Sequence, residues 1–148
     1  MTRSLLPALG LSLALIVPAG AQTAEDTRRA VLDFGLIGVW AAQCEAPASG
    51  SNNHATYALS PSGMLSLTYD LGDNNKTHYA ILQAKRAAGD RLELREKFLD
   101  SPGTLDLVIV KTNDRIRVWS SRRLDGDVLV KDGMIVGKRE TSWLQRCR

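Results

Sequence analysis

The stretch "RLELREKF" at residues 91–98 alternates apolar and charged side chains with a period of two. Successive side chains of an extended chain point to opposite faces, so Leu92, Leu94 and Phe98 share one face. The pattern predicts a β-strand that packs one face against an apolar core. The same alternation places Glu96 on the apolar face, where a carboxyl group must be paired or hydrated. The alternative is that Glu96 reaches solvent at a strand end, or that a bulge turns it outward.

The same alternation recurs along most of the chain, for example around Leu67, Leu107 and Ile116. Clusters of Gly, Asp, Asn and Pro separate these runs at intervals of roughly 8 to 13 residues, and no helical segment lies between them. We therefore predict an all-β fold, an antiparallel up-and-down barrel of eight or nine strands, with a sandwich as the other arrangement of such a meander. The strands are expected at about residues 38–45, 55–60, 63–71, 77–87, 91–99, 104–111, 115–123, 127–131 and 134–146.

The first residues have the pattern of a secretory signal peptide. A basic residue, Arg3, precedes an apolar run at residues 5–17 and a small-x-small site that ends at Ala21. We expect cleavage after Ala21, and hence an exported protein that is periplasmic or secreted. The apolar run is too short for a comfortable membrane span, and no Cys follows the cleavage site to take a lipid anchor.

Between the signal peptide and the first strand lies a short helical segment at residues 22–37, and the barrel domain is expected at residues 38–148. The apolar residues of the segment fall on one helix face. Asp26 or Thr27 is the expected N-cap, and Gly35 is the expected stop. A helix this short requires a surface to pack against.

The charge balance is close to neutral. The chain has 19 basic and 16 acidic residues, a formal charge of +3, and cleavage removes only Arg3, which leaves +2. Such a balance argues against a dedicated nucleic-acid binder. About 130 mature residues are enough for one domain with a core of its own, and we expect a monomer.

Cys44 and Cys147 are the two cysteines of the chain. In an exported protein they predict a disulfide, because the compartments beyond the cytoplasm permit one. The alternatives are two free thiols or a metal site. His54 and His78 show no ligand spacing with the cysteines, so we expect neither a metal nor a cofactor.

Each cysteine follows a tryptophan by four residues, as "GVWAAQC" and "TSWLQRC" show. If the first and last strands run in parallel, Trp40 falls beside Trp143, and the two indoles form a structural cluster next to the disulfide. The alternatives are an antiparallel pair that overlaps over a few residues, or a tail that crosses the end of the barrel. The parallel arrangement with a Trp40–Trp143 cluster is the favoured hypothesis.

Gly38-Val39-Trp40, after a short helix and at the start of a strand, resembles the G-x-W element of lipocalins and related calycins. It is also similar to the first strand of bacterial metalloprotease-inhibitor barrels. The resemblance implies that Trp40 packs at the closed end of an up-and-down barrel, near a basic residue of the last strand. Arg139 and Arg146 are the candidates for that residue. The terminal W-L-x-R-C pattern resembles small exported proteobacterial proteins, a resemblance that implies no activity.

The strand "RIRVWSSRR" at residues 115–123 carries a basic and aromatic face. An exposed Trp flanked by guanidinium groups is suited to an anion, an aromatic ring or a partner protein. The alternative is a solvated outer face whose Trp is covered by a helix or a loop. The face is expected to consist of Arg115, Arg117, Trp119, Ser121 and Arg123.

No pattern in the sequence predicts an enzyme. A G-x-S-x-G elbow is lacking, and His54 and His78 both lie next to predicted turns. By fold analogy we expect a non-enzymatic binding module that holds a small apolar or amphipathic ligand in the barrel, with Glu96 as a polar group in the lumen. The alternatives are a protein-binding inhibitor of the protease or lysozyme type, and a structural envelope protein without a discrete site.

Overall fold

The computed structural model describes residues 22–148, and the predicted signal peptide at residues 1–21 lies outside the described residues. The helix α1 spans Ala24–Phe34. The strands are β1 (Gly38–Ala41), β2 (His54–Leu59), β3 (Leu65–Asp70), β4 (Lys76–Ala87), β5 (Arg91–Phe98), β6 (Thr104–Thr112), β7 (Arg115–Arg123), β8 (Val128–Lys131), β9 (Met134–Ile135) and β10 (Leu144–Arg146).

The helix α1 is defined at both ends by its caps. Thr23 is the N-cap, and it forms a capping box with Asp26, whose backbone N–H donates to the Thr23 hydroxyl at 3.1 Å. The predicted N-cap at Asp26 or Thr27 was therefore wrong, because Asp26 is the third helical residue and reaches back to Thr23. Gly35 ends the helix in the left-handed region at φ 71°, as predicted.

Eight strands, β1 to β7 and β10, form a closed antiparallel barrel, which confirms the predicted fold class. Strands β1 to β7 pair in chain order, and β10 closes the barrel by pairing with both β1 and β7. The hairpin of β8 and β9 extends from the far half of β7. The single strand predicted at residues 134–146 is two short strands. The chain leaves the sheet between them because β8 and β10 pair with different ends of β7.

The seam between the first and last strands is antiparallel, with Trp40 opposite Arg146. The predicted parallel seam was therefore wrong. The predicted Trp40–Trp143 cluster does not form either, since Trp40 belongs to the barrel core whereas Trp143 lies against Arg117 on the outside. Trp143 comes directly before β10 and lies an odd number of residues from Arg146, the residue opposite Trp40. In an extended chain, the side chains of Trp143 and Arg146 therefore point to opposite faces.

The disulfide between Cys44 and Cys147 is present, with its Cα atoms 5.3 Å apart, as predicted. β1 ends at Ala41, so Cys44 lies in the turn that follows the strand and not within it. The Cys147 backbone N–H donates to the Val39 carbonyl at 2.8 Å, which extends the seam by one bond. An intramolecular disulfide fits an extracellular location.

Trp40 connects the helix to the seam. Its indole N–H donates to the Leu36 carbonyl at 2.7 Å, and the ring is 1% exposed. The Arg146 guanidinium lies 5.0 Å from the ring centroid and donates to the Gly35 carbonyl. Of the two candidates for the basic residue beside Trp40, Arg146 occupies that place. The pair ties the end of α1 to the strand that closes the barrel.

The helix closes one end of the barrel. Phe34 is buried among the ends of β4 and β6, where Arg86 and Lys111 lie 5.0 and 5.5 Å from its ring centroid. Lys111 also donates to the Phe34 carbonyl at 3.0 Å, and so covers a free carbonyl at the helix end. Within residues 22–148 no helix has the length and apolar character needed to cross a membrane.

Replacement of both cysteines by serine should lower the free energy of unfolding by about 2 to 5 kcal/mol, because the disulfide closes a long loop in the unfolded chain. Urea denaturation monitored by tryptophan fluorescence measures this change. A reductant should bring the wild type to the level of the Cys44→Ser/Cys147→Ser variant and leave the variant unchanged. Equal midpoints for the oxidised wild type and the variant would contradict the account.

Candidate functional site

Glu96 lies inside the barrel. It is 1% exposed, and its neighbours across the ladder are Ile81 of β4 and Leu105 of β6, both buried. A bulge occurs next to it, but on β4, where Leu82 is the extra residue and is 46% exposed. The bulge therefore turns Leu82 outward and leaves Glu96 facing the core. The alternatives of a solvent-exposed strand end and an outward Glu96 were wrong.

The Glu96 carboxyl group has an oxygen without a partner. Among the described residues, Oε1 is buried and accepts no hydrogen bond. Burial raises the pKa of Glu96 to about 8, because removal from water penalises the charged form. The carboxyl group is therefore mostly protonated at pH 7 and can donate a hydrogen bond. Buried polar atoms in proteins are almost always satisfied, so an unsatisfied one marks a place where a ligand or water fits.

Three tyrosines surround this carboxyl group. Tyr57 and Tyr79 are buried, and the Tyr69 and Tyr79 rings meet edge to face with centroids 6.0 Å apart. The Tyr79 ring also packs on Phe98, with centroids 4.7 Å apart. Burial raises the pKa of Tyr79 to about 12, and the charge of Glu96 adds to the effect. Burial also raises the pKa of Tyr57 and Tyr69, so all three phenols stay neutral over the physiological range.

A cavity of about 330 Å³ lies beside Glu96, toward the end of the barrel opposite α1. The strands from β3 to β7, together with β10, contribute its inner wall, and residues 139–142 with the β8–β9 hairpin cover it. The cavity combines apolar surface with the carboxyl group of Glu96 and the phenol groups of Tyr69 and Tyr79. The other inner residues that line it are Leu105, Leu107, Val118, Ser121, Val130, Ile135 and Leu144.

The loop between β1 and β2 reaches the rim of this cavity through Gly50 and Asn53. The loop is held by Asn52, whose side-chain amide donates to the carbonyls of Gln43, Ala46 and Pro47 at 3.0 to 3.3 Å. A "PASGSNN" composition is typical of a flexible segment, but this buried asparagine gives it a defined shape. Sequence reasoning missed Asn52, because an asparagine in a polar loop carries no distinguishing signal.

The basic and aromatic face of β7 is divided by a bulge at Trp119. Val108 pairs with Ser120 and Ile109 with Val118, so Trp119 is an extra residue. Beyond it the alternation changes phase, and Ser121 faces the core. The prediction that Arg115, Arg117, Trp119, Ser121 and Arg123 share one face was therefore wrong.

Arg123 illustrates the change of phase. It pairs with the buried Leu105, and its guanidinium lies 5.7 Å from the Phe98 ring centroid. Arg115 stays exposed at the other end of the strand. The two arginines therefore lie on different surfaces and do not act together.

Arg117 lies between two indoles on the outer wall, 5.2 Å from the Trp119 centroid and 4.8 Å from the Trp143 centroid. Arg91 lies 5.5 Å from the Trp119 centroid. These four residues form the Arg/Trp groove, which has a volume of about 280 Å³. Trp119 is half-buried by these contacts, and Arg117 Nε is buried without a hydrogen-bond partner among the described residues.

A wider groove of about 680 Å³ lies mainly over the outer face of β4 to β8. The charged groups at its centre are already paired, since Arg95 binds Asp106 through two hydrogen bonds of 2.7 and 2.9 Å. This pairing lowers the pKa of Asp106, which stays charged. The groove is larger than the cavity beside Glu96, and its other charged lining residues include Lys85, Arg122 and Lys131. Unlike the cavity, it has no buried carboxyl group among its described lining residues.

The two histidines lie away from the cavity lining. His78 contacts Asp100 at 2.9 Å on the exposed edge of the barrel, and this contact lowers the pKa of Asp100. His54 Nε2 lies 3.1 Å from the Ala46 carbonyl oxygen, within the loop network. In the part of the chain that the structure describes, no group of three or more acidic, histidine or cysteine residues is arranged to hold a metal ion.

Comparison of the chain with protein-family models, with curated proteins and with solved structures finds no match.

Glu96→Gln should change the pH dependence of stability. The pKa of Glu96 is about 8 in the folded state, whereas 4.5 is the ordinary value expected in the unfolded chain, so the folded state binds more protons between these values. The free energy of unfolding of the wild type should therefore fall as pH rises across this interval, by up to about 1.4 kcal/mol per pH unit. The glutamine variant should lack this slope.

Urea denaturation at pH 5, 6.5 and 8 measures the difference. Glu93→Gln is the matched control, because Glu93 lies on the exposed face of the same strand. The control should follow the pH dependence of the wild type. A constant difference between the wild type and Glu96→Gln across this range would contradict a buried carboxyl group.

Proposed function

We propose that the protein is an exported, non-enzymatic binding module that holds a small amphipathic ligand in its barrel. The observation that carries the proposal is the cavity of about 330 Å³ that contains an unpartnered, fully buried carboxyl oxygen. The volume is at the low end for ligand pockets, which fits a small molecule. The apolar wall accommodates the body of the ligand, and Glu96 with Tyr69 and Tyr79 contacts its polar group.

The chemistry of the cavity favours binding over catalysis. Its described hydroxyl groups include Ser121, Thr141 and Ser142. Nucleophilic catalysis needs a hydroxyl or thiol hydrogen-bonded to a base. Thr141 instead donates to the Val118 carbonyl at 2.7 Å. This carbonyl is an acceptor within the fold and cannot act as a base.

Three further observations support an exported carrier. The N-terminal sequence has the pattern of a secretory signal, and the disulfide fits a compartment outside the cytoplasm, periplasmic or extracellular. The G-x-W element resembles that of lipocalins. This resemblance implies that a ligand occupies the lumen of the barrel. Here Trp40 packs under Arg146 at the helix-covered end and leaves the other end to the cavity.

The second candidate function is protein binding through the Arg/Trp groove, as in an inhibitor of the protease or lysozyme type. The observation that favours it is the partly buried Arg117, which has an unsatisfied Nε and lies between two indoles. Aromatic and arginine side chains are enriched where proteins bind one another. This surface and the cavity lie on opposite sides of the barrel wall, so variants can separate the two functions.

Native mass spectrometry of protein purified from the envelope of its own cells tests the first function. The wild type should carry a small molecule, and Ser121→Phe should lose it, because the new ring occupies the cavity. Ser120→Phe is the matched control, since its side chain faces outward at the neighbouring position. It should retain the ligand.

A wild type without a bound small molecule would contradict the carrier function. A stoichiometric protein complex that survives Ser121→Phe but dissociates with Arg91→Ala would support the second candidate in its place.

A further inference from the structure

The carboxyl group of Glu96 faces a cavity, and it forms no ion pair among the described residues. Burial is the cause of its raised pKa, with no contribution from a nearby cation. The titratable and charged groups that surround the cavity from the packed elements are Tyr57 on β2, Tyr69 on β3, Tyr79 on β4, Arg123 on β7, and Arg139 and Glu140 after β9.

None of these groups acts as a counter-ion. The tyrosines are neutral. Arg123 is bound to Asp125 at 3.2 Å, and Glu140 is bound to Arg117 at 3.4 Å. Arg139 is exposed at the rim. Among the described residues, the buried Glu96 carboxyl group therefore has no counter-ion.

We propose that the ligand of this cavity is an organic ammonium ion with an apolar body, which Glu96 binds as a carboxylate beside the rings of Tyr69 and Tyr79. This inference rests on the proposed function and names the class of ligand. The two rings line the cavity at a mutual angle of 86°, so they form an aromatic corner beside the acid. A cation over an aromatic face is stabilised by the ring quadrupole, more so where water is excluded.

An ion pair with the ligand also lowers the free-energy cost of a buried Glu96 carboxylate. A charge in the protein interior is costly when it is alone, and the cost falls when an opposite charge with hydrogen-bond donors lies beside it. An ammonium group supplies both the charge and the donors that Glu96 Oε1 lacks. The aliphatic part of the ligand then contacts the leucine and valine side chains of β6 and β7.

Binding of this ligand is coupled to a proton. At pH 7 the carboxyl group carries the proton, because its pKa is about 8, and an arriving ammonium ion displaces it into solvent. The affinity should therefore rise with pH up to about 8, by at most tenfold per pH unit, and then level off until the amine itself loses its proton near pH 10. A neutral ligand that accepts a hydrogen bond from the protonated acid shows the opposite trend.

Isothermal titration calorimetry with octylamine, 1-octanol and octanoate tests the inference, since the three probes share one chain and differ in head-group charge. At pH 7.5 octylamine should bind at least about tenfold more tightly than octanol, a difference of about 1.4 kcal/mol. Its affinity should increase between pH 6.5 and 7.5. Buffers of different ionisation enthalpy should reveal proton release on binding.

The variants distinguish the contribution of the ligand's head group to the affinity from the contribution of its hydrocarbon chain. Glu96→Gln should lower the affinity for octylamine at least about tenfold and leave octanol within about threefold. Glu93→Gln should behave as the wild type with all three probes. The preference for the amine and its pH dependence are measured on the wild-type protein, so the test stands even where the glutamine variant folds poorly.

Equal affinity for octylamine and octanol, or an affinity for octylamine that falls as pH rises toward 8, would overturn the ammonium inference and leave a carrier of neutral amphiphiles. Preferential binding of octanoate would overturn it as well. The absence of binding by all three probes would overturn both the inference and the proposed carrier function.

Discussion

Closure of the barrel depends on a strand of three residues. β10 (Leu144–Arg146) pairs with β1 on one side and with the start of β7 on the other, and so removes the two free edges of the sheet. Such a short ladder has few hydrogen bonds, and three other contacts reinforce it: the Cys44–Cys147 disulfide, the Arg146–Trp40 stack and the bond from Cys147 to Val39. Closure of this seam completes the wall around the barrel core in which Glu96 is buried. This burial raises the pKa of Glu96.

The position of the cavity follows from the way β7 shares its length between two partners. Ile116 pairs with β10, whereas Ser121 pairs with β8, and the bulge at Trp119 lies between them. The barrel wall is therefore open between β10 and β8. The chain that links β9 to β10 covers this opening, held by Thr141. The cavity forms under a cover of irregular chain and not between two tightly paired strands.

Much of the fold follows from periodicity, because each strand with one buried face leaves a period of two in the sequence. The alternation of β5 places Glu96 inside, and the alternation of β3 places Tyr69 on the inner face. The disulfide was predicted from the expected export of the protein and from the presence of two cysteines. These inferences rest on local pattern and composition, which a single chain records directly.

The features that the sequence did not predict depend on register and long-range pairing. The bulges at Leu82 and Trp119 shift the phase within strands of unremarkable composition, so Ser121 and Arg123 change face without a local signal. The equal Trp–Cys spacing at the two ends of the protein suggested that the two tryptophans share one environment. The seam is antiparallel, however, and Trp143 faces outward. The proximity of Tyr79 to Glu96 likewise depends on strand register, which no single stretch of sequence encodes.

The closed barrel buries a carboxyl group beside a cavity, and one oxygen of that group has no partner among the described residues. The most direct measurement is the titration of the Glu96 side-chain carboxyl carbon by NMR in the ligand-free protein, with Glu96→Gln to assign the signal. We expect a midpoint near pH 8, because burial raises the pKa of this group. A midpoint near the ordinary value of 4.5 would show that the group is hydrated or paired, and it would contradict the account.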